Sequence, residues 1–190
     1  MGDKERTLVV VDAQNDFISG SLACQNAKEA MENLVSFLQK TPGLRVVYSA
    51  DWHSKTNGSF QCKGGIWPVH CVAGTEGAAL YSKFYDLPNE AYRPNESTLF
   101  KKGRDDAHEE YSACLAENAE EKRLEDVVRG GILVAGLASE YCVRETLLGL
   151  HDQGLSVSLY LPGVGYVNQQ DHEKNLTDLR EKGIPIVESV

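Results

Sequence analysis

A thiol, two carboxylates, two imidazoles and a lysine fall at positions in this chain where side chains commonly do chemistry. Asp12 follows the apolar run Thr7-Leu8-Val9-Val10-Val11, and Asp51-Trp52-His53 follows Arg45-Val46-Val47-Tyr48-Ser49-Ala50. Lys101-Lys102-Gly103 follows Leu99-Phe100, and Cys142 comes shortly after Ile132-Leu133-Val134-Ala135-Gly136. Each run reads as a strand, and open α/β sheets bind their ligands beyond the carboxyl ends of the strands. An acid, a base, a thiol and a metal-binding pair therefore converge on one rim. That set suits nucleophilic catalysis with acid–base help.

Each residue also has an ordinary reading. A cysteine early in a helix is usually a small buried hydrophobe, although the N-terminus of a helix favours a thiolate. Asp12 can cap the turn after its strand, and a lone lysine is by default a solvated charge. Asp-x-His at 51 and 53 is a weak signal alone, and His70 lies in an irregular stretch. Cys62, His70 and Cys71 suggest a structural zinc site, but no Cys-x-x-Cys pair accompanies them.

The elements that must position these groups alternate along the chain. Strands are expected at Thr7–Val11, Arg45–Ala50, Leu99–Phe100, Ile132–Ala135 and Leu155–Tyr160. A last edge strand at Ile184–Val187 accommodates Pro185. A capping box, Asn26-Ala27-Lys28-Glu29, opens a helix with Ala27, Ala30, Met31, Leu34 and Leu38 on one face. Further helices are expected from Tyr141 to Gln153 and from Gln169 to Lys182. This alternation predicts an α/β fold: three αβα layers around a doubly wound, mostly parallel sheet. The stretch from Trp52 to Asn95 is long and irregular, a length more often functional than idle. No linker, repeat or low-complexity tract divides the chain, so a single domain over 1–190 is expected.

Composition narrows the partners. The 190 residues carry 19 basic and 28 acidic side chains, a net charge of -9. Such a chain repels nucleic acid and anionic membranes, and Lys101-Lys102-Gly103-Arg104 runs straight into Asp105-Asp106. No segment is long and apolar enough to span a bilayer, and Met1 to Arg6 lacks the apolar stretch of a signal peptide. Five scattered cysteines suit a reducing cytosol, so a cytoplasmic enzyme acting on a small molecule is expected, as a monomer or a homo-oligomer.

Five motifs in order carry a resemblance over nearly the whole chain. They are Val11-Asp12-Ala13-Gln14-Asn15-Asp16-Phe17, Asp51-Trp52-His53, Trp67-Pro68-Val69-His70-Cys71, Lys102-Gly103 followed by Tyr111-Ser112-Ala113, and Gly136-Leu137-Ala138-Ser139-Glu140-Tyr141-Cys142-Val143. The sequence resembles the isochorismatase-like cysteine hydrolases and, among them, the nicotinamidase/pyrazinamidase branch. The resemblance implies hydrolysis of nicotinamide, a pyridine carboxamide, to nicotinate and ammonia through a cysteine thioester, feeding NAD salvage. It makes Cys142 the nucleophile, Asp12 the acid/base and Lys102 the third catalytic member. It gives the oxyanion hole to the N–H groups of Ala138 and Cys142, and the substrate pocket to Phe17, Trp67, Tyr111 and Leu137. It implies a cis bond between Leu137 and Ala138. Asp51, His53 and His70 become ligands of one divalent metal per chain, zinc first, with iron or manganese as alternatives.

The sequence also departs from the family pattern. Asn57 stands where some relatives carry a further histidine ligand, and Cys114 where many have phenylalanine. Lys101 beside Lys102 leaves two candidates for one role. The nearest rival reading is a metal-independent sister hydrolase acting on a carbamoyl amide or isochorismate, against which the metal triad argues. A non-catalytic Rossmann-like binding module is disfavoured because no Gly-x-Gly-x-x-Gly follows a strand, and Gly163-Val164-Gly165 lacks the rest of that fingerprint.

Overall fold

The structure is a computed structural model and describes residues 6–189. The charged opening, Met1 to Glu5, lies outside the described residues. Among the described residues six strands form one all-parallel sheet in the order β3-β2-β1-β4-β5-β6. They are β1 (Arg6–Val11), β2 (Leu44–Asp51), β3 (Leu99–Lys102), β4 (Gly131–Gly136), β5 (Val157–Val164) and β6 (Ile186–Val187). Leu8, Val9, Val10 and Val11 are fully buried, as a central strand covered on both faces requires.

The strand order reverses between β1 and β4. Right-handed crossovers then put the two sets of helices on opposite faces, which gives the three layers. Helix α1 (Asn15–Ile18) is one turn long; α2 (Ala27–Lys40) follows it and packs on β4 and β5. Another short turn, α3 (Leu124–Val127), precedes β4, and α4 (Arg144–Asp152) and α5 (Gln169–Glu181) complete the set. Ala27, Ala30, Met31, Leu34 and Leu38 of α2 are all buried, so the helical period was read on the correct face.

Three expectations need correction. Asn26 sits in the left-handed region and makes no capping bond; its amide reaches across to Val164 O at 3.1 Å, so no capping box forms. Strand β5 runs on past Tyr160 through Pro162 to Val164, because the register against β4 shifts between Val134 and Gly136 and lets the proline pass without a ladder bond. The edge strand keeps only Ile186 and Val187.

Candidate active site and metal centre

The carboxyl ends of β1, β2, β3 and β4 meet at the switch point. Asp12 lies one residue past β1 with φ 46, a conformation uncommon for aspartate and worth attention where it recurs beside reactive groups. Its N–H donates to Ser49 O, and the Ser49 hydroxyl donates to its Oδ1 at 2.7 Å. Beyond β4 the chain turns sharply. Gly136, at φ +121, lies so close to Val11 that a Cβ there would overlap the Val11 backbone. The Leu137–Ala138 bond is cis, and a wide π-helical turn, Ser139–Val143, carries Cys142 into α4. Cys142 thus sits inside a π turn and not at the first turn of an α-helix.

Alternation along β3 resolves the lysine pair. Lys101 points outward, its Nζ 3.9 Å from the Trp52 ring centroid, while Lys102 is buried. Lys102 Nζ lies 2.8 Å from Asp12 Oδ2, 2.5 Å from Asp51 Oδ1, 3.1 Å from Glu110 O and 3.4 Å from Cys142 Sγ. The thiol is within hydrogen-bonding reach of Asp12, and acceptor atoms of Asp12, Asp51 and Cys142 lie within 4.8 Å of one another.

One buried ammonium therefore faces two buried carboxylates and a thiol. Burial opposes the charge on Lys102, but Asp12 and Asp51 outweigh it and hold the ammonium well above its ordinary range. Burial would raise Asp51 too, yet Lys102 and His53 keep its carboxyl below the usual range. Asp12 moves the other way: burial raises it, and Lys102 only partly offsets that. Burial also pushes the Cys142 thiol well above its usual value, against the pull of Lys102 and with Asp12 and Asp51 adding to the rise. A helix N-terminus favours a thiolate, but burial of Cys142 works the other way, with Asp12 beside the thiol to take its proton.

Asp51, His53 and His70 form a second cluster, their ligand atoms within 4.8 Å of one another. His53 Nε2 is 3.5 Å and His70 Nε2 4.0 Å from Asp51 Oδ2. Both Nδ1 atoms face carbonyls, Gly103 O and Pro68 O, each at 2.8 Å. A carbonyl only accepts, so each Nδ1 carries the proton and each Nε2 presents its lone pair to the cluster. Burial lowers both imidazoles; His70 stays below its ordinary value, whereas the bond and charge of Asp51 lift His53 above it. One carboxylate and two neutral imidazoles fit a divalent transition-metal ion. Asn57 does not join them: its Oδ1 accepts from Ser59 N–H, and its amide reaches Gly103 O and Asp105 O at 3.4 Å each. Neither Cys62, which is exposed, nor Cys71, whose N–H donates to Asp16 Oδ2, belongs to the cluster among the described residues.

A cavity of about 20 Å³ opens between the thiol and the metal cluster. Phe17, Trp67, Tyr111, Ala138 and Cys142 line it, as do Asp51 and His70. Trp67 Nε1 donates to the Tyr111 hydroxyl at 3.1 Å, and both rings pack on Tyr141 at 5.0 and 5.5 Å. Ala138 N–H finds no acceptor among the described residues. Leu137 does not line the cavity; it is fully buried, with its Cδ2 against Gly165, because the chain turns its side chain into the core. Cys114 lies away from the cavity with its Sγ 3.7 Å from Thr146 O.

Several contributors carried no assigned role in the sequence. Tyr141 and Cys24 line the cavity, and burial lifts the Cys24 thiol to about 12. Phe60 is fully buried and seats both imidazoles edge-on, at 5.6 and 5.4 Å. Gln14 clamps β1 to β2, donating to Asp51 O and accepting from Asp51 N–H, each at 2.8 Å. Gln14 lies within a quoted motif and Phe60 is a lone aromatic in a polar stretch, but neither signal says what the residue touches.

Known proteins share this sequence pattern and this fold. The isochorismatase-domain family profile matches residues 6–189. A nicotinamidase of Escherichia coli is 30% identical, over 88% of this chain and 86% of its own. The nicotinamidase/pyrazinamidase of Mycobacterium tuberculosis is 27% identical, over 96% and 98%. The crystal structure of a Pyrococcus horikoshii pyrazinamidase in complex with zinc superposes with a TM-score of 0.82 at 31% identity, covering 97% of this chain and 99% of that one.

Proposed function

Because the chain belongs to the isochorismatase family, in its nicotinamidase/pyrazinamidase branch, we propose that this amidohydrolase converts nicotinamide to nicotinate and ammonia through a thioester on Cys142. The observation that carries the reading is one aromatic-walled cavity lined by Cys142, Asp51 and His70, with Asp12 beside the thiol and His53 beside the other two ligand groups. A planar ring with a carboxamide on one side and a ring nitrogen on the other matches that division.

The chemistry follows from the contacts. Asp12 takes the thiol proton as Cys142 Sγ bonds to the carboxamide carbon. The oxyanion accepts hydrogen bonds from backbone N–H groups, the free Ala138 N–H first among them and Cys142 N–H second. Asp12 returns the proton to the amine, the C–N bond breaks and ammonia leaves a thioester. Asp12 then takes a proton from water as the hydroxyl adds to the thioester carbon. Collapse breaks the C–S bond, and the proton goes back to sulfur. Throughout, Lys102 keeps Asp12 and Asp51 at fixed separation and offsets their charge. Asp51, His53 and His70 would hold the divalent ion, zinc by preference, which supplies a Lewis-acid seat for the ring nitrogen. Phe17, Trp67 and Tyr111 hold the ring flat.

Nicotinate released this way would enter NAD salvage. All five cysteines are free, which fits a reducing compartment such as the cytoplasm. Among the described residues no helix is long and apolar enough to cross a membrane. The deciding experiment is ammonia release by the metal-loaded protein from nicotinamide and pyrazinamide. Turnover of nicotinamide is expected; ammonia from a carbamoyl amide and none from nicotinamide would move the protein to a sister activity.

A further inference from the structure

The residue after the buried lysine carries more than a turn. Gly103 has φ +68, and its carbonyl accepts the His53 Nδ1–H at 2.8 Å. Its own N–H donates to Glu110 Oε2 at 2.5 Å. The same Glu110 accepts from Lys102 Nζ through its backbone carbonyl at 3.1 Å. A Cβ on Gly103 would come to 2.5 Å from His53 Cε1 and 2.7 Å from Nδ1, so glycine backbone and imidazole are in close contact. A small displacement of Gly103 therefore moves the ring. Asn57, the residue in place of a further imidazole, adds a 3.4 Å bond to the same carbonyl.

We propose that Glu110 is a positioning residue for the metal site: by holding Gly103 N–H it fixes the carbonyl that sets the tautomer and aim of His53. Partners that orient a ligating histidine commonly matter ten- to a hundred-fold in metal affinity. The bond is charge-assisted and short, which suits a clamp on a solvent-facing loop. This inference rests on the reading of Asp51, His53 and His70 as metal ligands.

Three substitutions separate positioning from mere negative charge. Glu110→Gln keeps an acceptor at the same reach, Glu110→Asp keeps the charge but falls a methylene short, and Glu110→Ala keeps neither. Zinc affinity of each purified protein is measured by competition with a chromophoric chelator, alongside the melting temperature of the metal-free form. Positioning predicts that Glu110→Gln stays within about three-fold of the parent, while Glu110→Asp and Glu110→Ala weaken by about ten-fold or more. Glu110→Asp binding like the parent while Glu110→Gln weakens overturns the proposal in favour of simple charge. Equal affinity in all four proteins overturns it too, and leaves the metal reading intact. A parent chain that takes up no zinc overturns both. The aspartate and glutamine variants decide the matter even if Glu110→Ala does not fold.

Discussion

Asp12, Lys102 and Cys142 stand where β1, β3 and β4 end or just beyond, whereas His53 and His70 ride on the irregular stretch that follows β2. Asp51, the last residue of β2, belongs to both corners. In the acid–thiol corner the parallel ladder places Lys102 and Asp51 directly and brings Asp12 to its edge, while a single tight turn after β4 carries Cys142 in. The metal corner has to be clamped one group at a time. Gly103 O and Pro68 O orient the rings, Phe60 seats them, and Gln14 and Asp16 hold the chain beneath. Loops tolerate change where nothing depends on their shape. This one has little such freedom.

The difference can be broken deliberately, and the largest effect belongs to the ladder-built corner. Cys142→Ala should lower kcat by about 10⁶-fold, the scale for removing a nucleophile, while zinc uptake stays at one per chain. A variant that keeps a tenth of the activity would falsify the thioester route. Asp12→Asn should lower kcat by about 10²- to 10⁴-fold, since it removes the proton carrier and leaves the thiol in place. Lys102→Ala should fall sharply as well. In the double variant the losses should be smaller than their product, because one ion-paired unit has been broken twice. Fully multiplicative rates measured on the four proteins would show the two residues acting apart.

The metal corner should answer in binding more than in rate. Stripping the ion with a chelator is expected to raise KM by about ten-fold or more, a larger change than in kcat, if its work is to seat the ring. Labelling of Cys142 by a small alkylating agent, followed by peptide mass, should survive the stripping. Exposed Cys62 will react first and is best replaced beforehand, since burial and the raised thiol slow Cys142. An unchanged KM in metal-free protein would remove the ring-seating role.

The smallest effect concerns pH. His53 must be neutral to bind a metal, and Asp51 lifts its pKa above 6.5 in the metal-free protein. Protons therefore compete as pH falls through that raised value, so zinc affinity measured from pH 8 down to pH 5 should decline on the acid side. His172 shows the corresponding effect in stability. Burial lowers it below 6.5, the folded chain binds fewer protons than the unfolded one, and stability should drop as pH falls below about 6.5. His172→Asn, followed by thermal melts across that range, should flatten part of the slope.

The same contrast explains what the sequence disclosed. Apolar runs named the strands, and strand ends then located Asp12, Asp51, Lys102 and Cys142 without side-chain detail. Period-two alternation even separates Lys102 from Lys101 once the limits of β3 are known. His70 gave no such signal, because its place is held through its neighbour: the Cys71 N–H donates to Asp16 Oδ2, 55 residues back along the chain, while the ring itself bonds only the nearby Pro68 O. Asn26 misled for a related reason: its amide found a partner on β5, a contact that local spacing cannot express. The thiol's surroundings were likewise not legible: burial, with Asp12 and Asp51 adding to it, raises Cys142 against the helix-end effect that local position suggests.

The cavity between the thiol and the imidazoles is narrow, and Trp67 and Tyr111 stand side by side in its lining. An entering ring that has to part them would bind only the open fraction of molecules at any instant. Measured affinity becomes the intrinsic affinity scaled by that open fraction. The hydrogen bond between Trp67 and Tyr111 would then act as a latch. Loosening it would speed arrival and departure alike, and would also admit stray water to the cavity. The tightness of that one contact would set a compromise between traffic and seclusion.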